Sequence, residues 1–163
     1  MRPFTLAIAC LCAGVLAASA QERSGPPPQT ERSNSASRPE LADLMGATQL
    51  RHFKLSFAGN LKNWELAGYE LAKIRKTFED AASLYPEFNG VRLAKLVDDV
   101  SKPALSEIGK AIAAKNSAAF SKAFKDLTAA CNSCHRAAKV RFIVIRVPTT
   151  SPFSNQTFAP AQK

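Results

Sequence analysis

Proline is what most constrains this chain, because it breaks the interior of helices and central strands alike. Of the ten prolines, Pro26, Pro27, Pro28 and Pro39 lie in or just after a Ser, Gln and Arg-rich stretch, and Pro148, Pro152 and Pro160 lie in a Thr/Ser-rich tail. Only Pro86 and Pro103 interrupt residues 40–147. Inside that window the apolar residues recur at helical spacing, with no alternating strand and no repeat of solenoid length. The expectation is an all-α domain over residues 39–147, preceded by a flexible linker over 21–38 and followed by an extended tail over 148–163.

The pattern resolves into four helices. The first starts near Pro39 and runs to Ala58, stopped by Gly59 and Asn60, with Leu41, Leu44, Met45, Thr48, His52 and Leu55 facing inward. Asn63 caps the second, whose stripe is Ala67, Leu71, Ile74, Phe78, Ala81 and Tyr85, and Pro86 ends it. A third segment carries Leu93, Leu96, Val97 and Val100, is kinked or restarted at Pro103 under Ser101, and ends near Asn116. The fourth starts near Ser117 and puts Phe120, Phe124, Leu127, Cys131, Cys134, His135, Ala138 and Phe142 on one face. Four helices with short connections read as an antiparallel up-and-down bundle.

Before the linker, residues 1–20 read as a secretory signal: Arg2 is the positive start, Leu6 to Ala18 is an apolar segment too short to span a bilayer, and Ala18-Ser19-Ala20 is a small-residue cleavage site. Lipidation at Cys10 is the rival reading, and it would leave very few apolar residues before the cysteine. Cleavage after Ala20 leaves 143 residues, a formal charge of +8, one methionine, Met45, and two cysteines, Cys131 and Cys134. No later segment is apolar and long enough to cross a membrane, so the expected product is exported and not membrane-inserted. The 22 basic residues are spread along the chain rather than gathered in an arm, which argues against a dedicated nucleic-acid binder.

Cys131-Asn132-Ser133-Cys134-His135 is the C-x-x-C-H pattern of covalent c-type haem attachment. On a helix the two sulfurs and the imidazole project from one face, so the thiols can reach the two vinyl groups while the histidine reaches the iron. Export to the periplasm agrees with where such attachment occurs in bacteria. A redox C-x-x-C normally opens a helix after a strand, whereas this pair lies deep in one. A zinc site would need His52 and two adjacent ligands on one rigid helix. A plain disulfide would leave His135 without a role.

An exported all-α chain of this size with its single C-x-x-C-H on the last helix resembles the class II c-type cytochromes, the cytochrome c′ bundles, over residues 39–142. The resemblance implies haem c held in one end of the bundle, His135 as fifth ligand, a sixth position on the first helix that is empty or filled by methionine, and Lys139 meeting a haem carboxylate. Ile143 to Val147 and the tail depart from the family pattern, and what they cover stays open.

Register chooses between Met45 and His52. If Ser117 is level with Ala58, His135 is level with about residue 40, roughly 7.5 Å along the axis from Met45 and roughly 18 Å from His52. Met45 is therefore the expected sixth ligand, with His52 or an empty position as the alternatives. The function expected is one-electron transfer in the periplasm with His/Met axial ligation and no catalytic constellation, hence no enzyme. The alternative is a five-coordinate cytochrome c′ that binds or senses NO or CO. The basic charge suggests an acidic redox partner, and a homodimer is left open. N-terminal analysis of the exported protein should give Gln21, free or cyclised; a lipidated Cys10 would place the chain on a membrane surface instead.

Overall fold

The computed structural model describes residues 38–161. The expected signal peptide, the Cys10 alternative and linker residues 21–37 lie outside the described residues. Within them the chain is mostly helical and belongs to the all-α class: α1 (Leu41–Asn60), α2 (Trp64–Leu84), a short β1 (Glu87–Phe88) and β2 (Val91–Arg92), α3 (Leu93–Leu96), a π-helical turn (Val97–Ser101), α4 (Lys102–Ala113) and α5 (Ser117–Ala137). Helix α1 packs on α2, α2 on α4, α4 on α5, and α5 on α1. No described helix is long and apolar enough to cross a membrane.

Each helix is delimited by local chemistry. The Asn63 side chain accepts a hydrogen bond from Leu66 N at 3.1 Å and so satisfies a free donor of the first turn of α2; Asn116 does the same for Ala119 N at 3.0 Å on α5. Helix α1 runs to Asn60, two residues beyond the expected stop, and the reversal falls on Lys62, at φ 61°. Ser101 does not cap α4. It lies inside the π turn, its backbone is helical, and Pro103 sits harmlessly in the first turn that follows.

The expected stripes of α1, α2 and α5 converge in the core. Leu55 and Ala58, Leu71 and Ile74, and Phe120, Phe124 and Leu127 are buried together with Leu105 and Ile108 of α4. One charge is taken in with them: Glu70 is 1% exposed and its carboxylate accepts from Arg51 of α1, with Nη1 to Oε2 at 3.1 Å. That pair ties α1 to α2 at a place where Glu70 alone would be an uncompensated buried charge.

Helices α1 and α5 come together closely at one point. A Cβ added at Gly59 would run into the ring of Phe120, so the absence of a side chain there lets the helices meet at 59 and 120. Seven residues back along α1, His52 Nε2 is 2.9 Å from Thr128 Oγ1 of α5. The two contacts agree on one antiparallel register.

Helix α5 ends five residues earlier than the sequence pattern implies. Phe142 is off the helix and 79% exposed, because Lys139 takes φ 61° and Val140 N closes back on His135 O at 2.9 Å. From there to residue 161 the described chain is irregular but docked. Phe153 meets Phe53 edge-on at 5.7 Å, Phe158 is buried 5.5 Å from Phe57, and Asn63 Nδ2 donates to Ala159 O at 3.0 Å. The tail therefore covers the outer face of α1.

Replacing Gly59 with Ala should cost about 1–3 kcal/mol by forcing α1 and α5 apart around the immobile Phe120 ring. Urea denaturation measures it; an unchanged midpoint would show that the close approach is not needed.

Candidate functional site

One apolar cavity of about 360 Å³ brings the candidate residues together. Leu41, Met45, Thr48 and His52 of α1 form one wall, and Cys131, Cys134 and His135 of α5 face them. Phe78 and Ala81 of α2, Phe88 of β1, and Leu96, Val97 and Ser101 close the sides. Ile143 and Ile145 complete the lining from the segment after α5. Volume and apolar lining suit a small organic ligand or cofactor.

Register fixes how the walls face each other. His52 pairs with Thr128, and seven residues on, almost two full turns, the same faces carry Met45 and His135. Met45 is thus level with His135, where the sequence argument put residue 40. The correction is five residues, and it also brings His52 closer, to about 10.5 Å along the axis from the His135 level rather than roughly 18 Å. His52 lines the cavity too, so the expectation that it stands well clear of the site does not hold.

Burial shifts three groups of the cavity wall, Cys131, Cys134 and His52. Cys131 and Cys134 are free thiols, both partly buried. Burial pushes Cys131 up to about 12, with the neighbouring Cys134 adding to it. Burial also raises Cys134, against a contact from Ser101 whose Oγ is 3.8 Å from the sulfur. A dithiol redox centre needs the opposite shift to supply a thiolate near neutral pH. Among the described residues no three His, Cys, Asp or Glu side chains converge to hold a metal ion.

The two histidines are fixed in different ways. Thr128 Oγ1 donates its proton to Phe124 O at 2.9 Å, so it accepts from His52, which carries its proton on Nε2. A tilted contact with the Phe124 ring, 4.4 Å between centroids, completes the enclosure of that imidazole, and burial lowers its pKa from 6.5 to about 4. His135 Nδ1 lies 2.7 Å from the carbonyl of Ile143, which can only accept. The proton of His135 is therefore on Nδ1, and Nε2 keeps its lone pair for a ligand or metal. The cavity wall thus offers a thioether, two imidazoles and two thiols in otherwise apolar surroundings.

Lys139, expected one turn past His135 on the helix, is instead the left-handed residue that ends it, and it is exposed. The sequence reading missed the hairpin. Asn89 and Gly90, at φ 52° and 81°, make its two-residue turn, and Asn89 Nδ2 donates to Ala138 O at 2.8 Å, fastening the end of α5. An Asn-Gly pair after a helix-ending proline was the available signal. Ile143, Ile145 and Asn132 were missed as well, because the pattern placed the first two beyond the domain's active face and the third between motif residues.

No family model, curated protein or solved structure matches the chain.

His52 makes stability depend on acid. Its folded pKa of about 4 lies below the ordinary 6.5, so the unfolded chain binds the proton first and stability present above pH 6.5 is lost as pH falls to about 4. The loss should approach about 3 kcal/mol and then level off. Denaturation midpoints of wild type and His52→Gln over this window check it; equal pH dependence in the two would remove His52 as the cause.

Proposed function

We propose that this chain is a periplasmic class II c-type cytochrome: an antiparallel four-helix bundle carrying one haem c on Cys131 and Cys134, with His135 and Met45 as axial ligands, that transfers single electrons. The observation that carries the reading is the convergence of these four residues on one apolar cavity, with the lone pair of His135 Nε2 left free by the Ile143 carbonyl. The fit is chemical as well as spatial. Thiols at i and i+3 would hold the ring by two thioether links, and an imidazole with a thioether is a soft axial pair suited to iron.

When bound, the group supplies a one-electron iron couple. The remaining work belongs to the chain. His135 keeps one tautomer and one orientation. Met45, level with it on α1, offers the second axial donor without a charge. Leu41, Phe78, Leu96 and Val97 exclude water, which favours a raised potential and little reorganisation. His52, held neutral by burial, adds no charge to the cavity near pH 7. Lys139 is exposed at the end of α5 and available to a haem carboxylate. The basic surface suits an acidic redox partner.

Mass spectrometry of the exported protein should show one haem per chain that survives acid denaturation and is lost when Cys131 and Cys134 are both replaced by Ser. The ferric spectrum should be low-spin with a far-red thioether-to-iron band, and Met45→Ala should turn it high-spin and open it to carbon monoxide. A wild type that is already high-spin and takes up carbon monoxide quickly would favour the five-coordinate, gas-binding reading. A chain without covalent haem would end both.

A further inference from the structure

Three side-chain hydrogen bonds join α5 to residues 143–145, and all three come from His135 or Asn132 of the C-x-x-C-H motif. His135 Nδ1 donates to Ile143 O at 2.7 Å, Asn132 Nδ2 donates to Ile145 O at 2.9 Å, and Ile145 N donates to Asn132 Oδ1 at 2.8 Å. We infer that residues 143–145, seated by Asn132, are a clamp that sets the tautomer and donor strength of His135. The inference rests on the cytochrome reading above and names a regulating element of the same site.

The Asn132 amide behaves like the edge of a neighbouring strand. It pairs both backbone groups of Ile145, and its remaining N–H goes to Thr128 O at 3.1 Å, so every one of those contacts would be lost if the amide were turned over. Asn132 is rigid because it sits on α5, three residues before His135. An isolated bond from a half-buried histidine to an irregular segment would have to compete with water; the two-point anchor two residues further on holds that carbonyl in place.

The side chains of the segment follow from the same geometry. Phe142 lies in the turn that Ile143 N closes on Val140 O at 2.9 Å. Ile143 and Ile145 reach the cavity lining, but Ile143 is itself 44% exposed, and Phe142 and Val144 are 79% and 66% exposed. Three large apolar side chains left wholly or partly in water, Phe142, Ile143 and Val144, are an unfavourable arrangement for a tail that only had to cover a helix. They are the consequence of bringing the Ile143 carbonyl to the histidine ring. The rest of the tail is anchored independently, by Phe153 and Phe158 against α1.

A carbonyl accepting from Nδ1 makes the opposite nitrogen more basic. A more basic axial ligand favours the higher charge state of iron, so the clamp lowers the reduction potential relative to an unclamped His135.

The test uses the protein as isolated from an exporting host, with ¹⁵N-labelled histidine. Two variants open the clamp without touching His135 or either cysteine: Asn132→Ala, and Ile145→Pro, which removes the N–H that Asn132 accepts. Phe142→Ser changes the exposed face of the segment and none of its bonds. Wild type and Phe142→Ser should carry the His135 proton on Nδ1 in slow exchange. In both opening variants that proton should exchange about tenfold faster, the equivalent of one hydrogen bond, and the potential should rise while the covalent haem mass stays unchanged. Exchange and potential unmoved in both opening variants would overturn the clamp. A protein isolated without haem overturns the cytochrome reading itself, and its mass shows this before either measurement is made.

Discussion

The close approach of α1 and α5 is the constraint on which the site depends. Gly59 admits the Phe120 ring, His52 reaches Thr128, and from those two contacts the helices can have only one register. A slip by one residue would turn the facing side chains by about 100°, and a slip by a turn would leave the buried imidazole without its hydroxyl. The level pairing of Met45 with His135 is thus set from the far end of the helix pair, by packing in which neither residue takes part.

A cavity this apolar must account for every polar group on its walls. His52 is satisfied through Thr128 and stays neutral, Ser101 turns its hydroxyl to the Cys134 sulfur, and Thr48 returns its own to Leu44 O. No buried side-chain nitrogen or oxygen among the described residues is left without a partner. The buried Glu70 and its half-exposed partner Arg51 lie on the α1–α2 side and outside the residues that line the cavity. The consequence is a low-polarity site in which a bound group would meet few fixed charges, the condition under which one sulfur or imidazole donor has most influence.

What could be read in the sequence was what depends on neighbours along the chain. The Asn63 cap, the stop before Pro86 and the buried stripe from Ala67 to Ala81 all appear as expected, since capping and periodicity are local. The grouping of Cys131, Cys134 and His135 follows from one helical turn. Features set by loops were not legible. The five-residue error in register came from assuming that helix ends align; α1 runs on to Asn60, and no residue encodes the level at which Ser117 starts. The end of α5 was hidden because Ala138 and Phe142 continue the apolar spacing, while the left-handed stop falls on Lys139, a residue with no preference for it. The partners of Asn132 lie thirteen residues away in a segment with no periodicity of its own.

That segment also explains why the chain does not finish with its last helix. Ordering more than twenty irregular residues costs conformational entropy that a simple cover would have to recover from its contacts. Here the recovery is divided between two places. Phe153 and Phe158 pack aromatic surface on Phe53 and Phe57 of α1, and Phe158 is buried there. Residues 143–145 gain little from burial and instead make directional bonds to Asn132 and His135. Separating the anchor from the clamp lets the bond to His135 be altered without the tail coming loose, so the electronic character of that imidazole can change with little change in the stability of the fold.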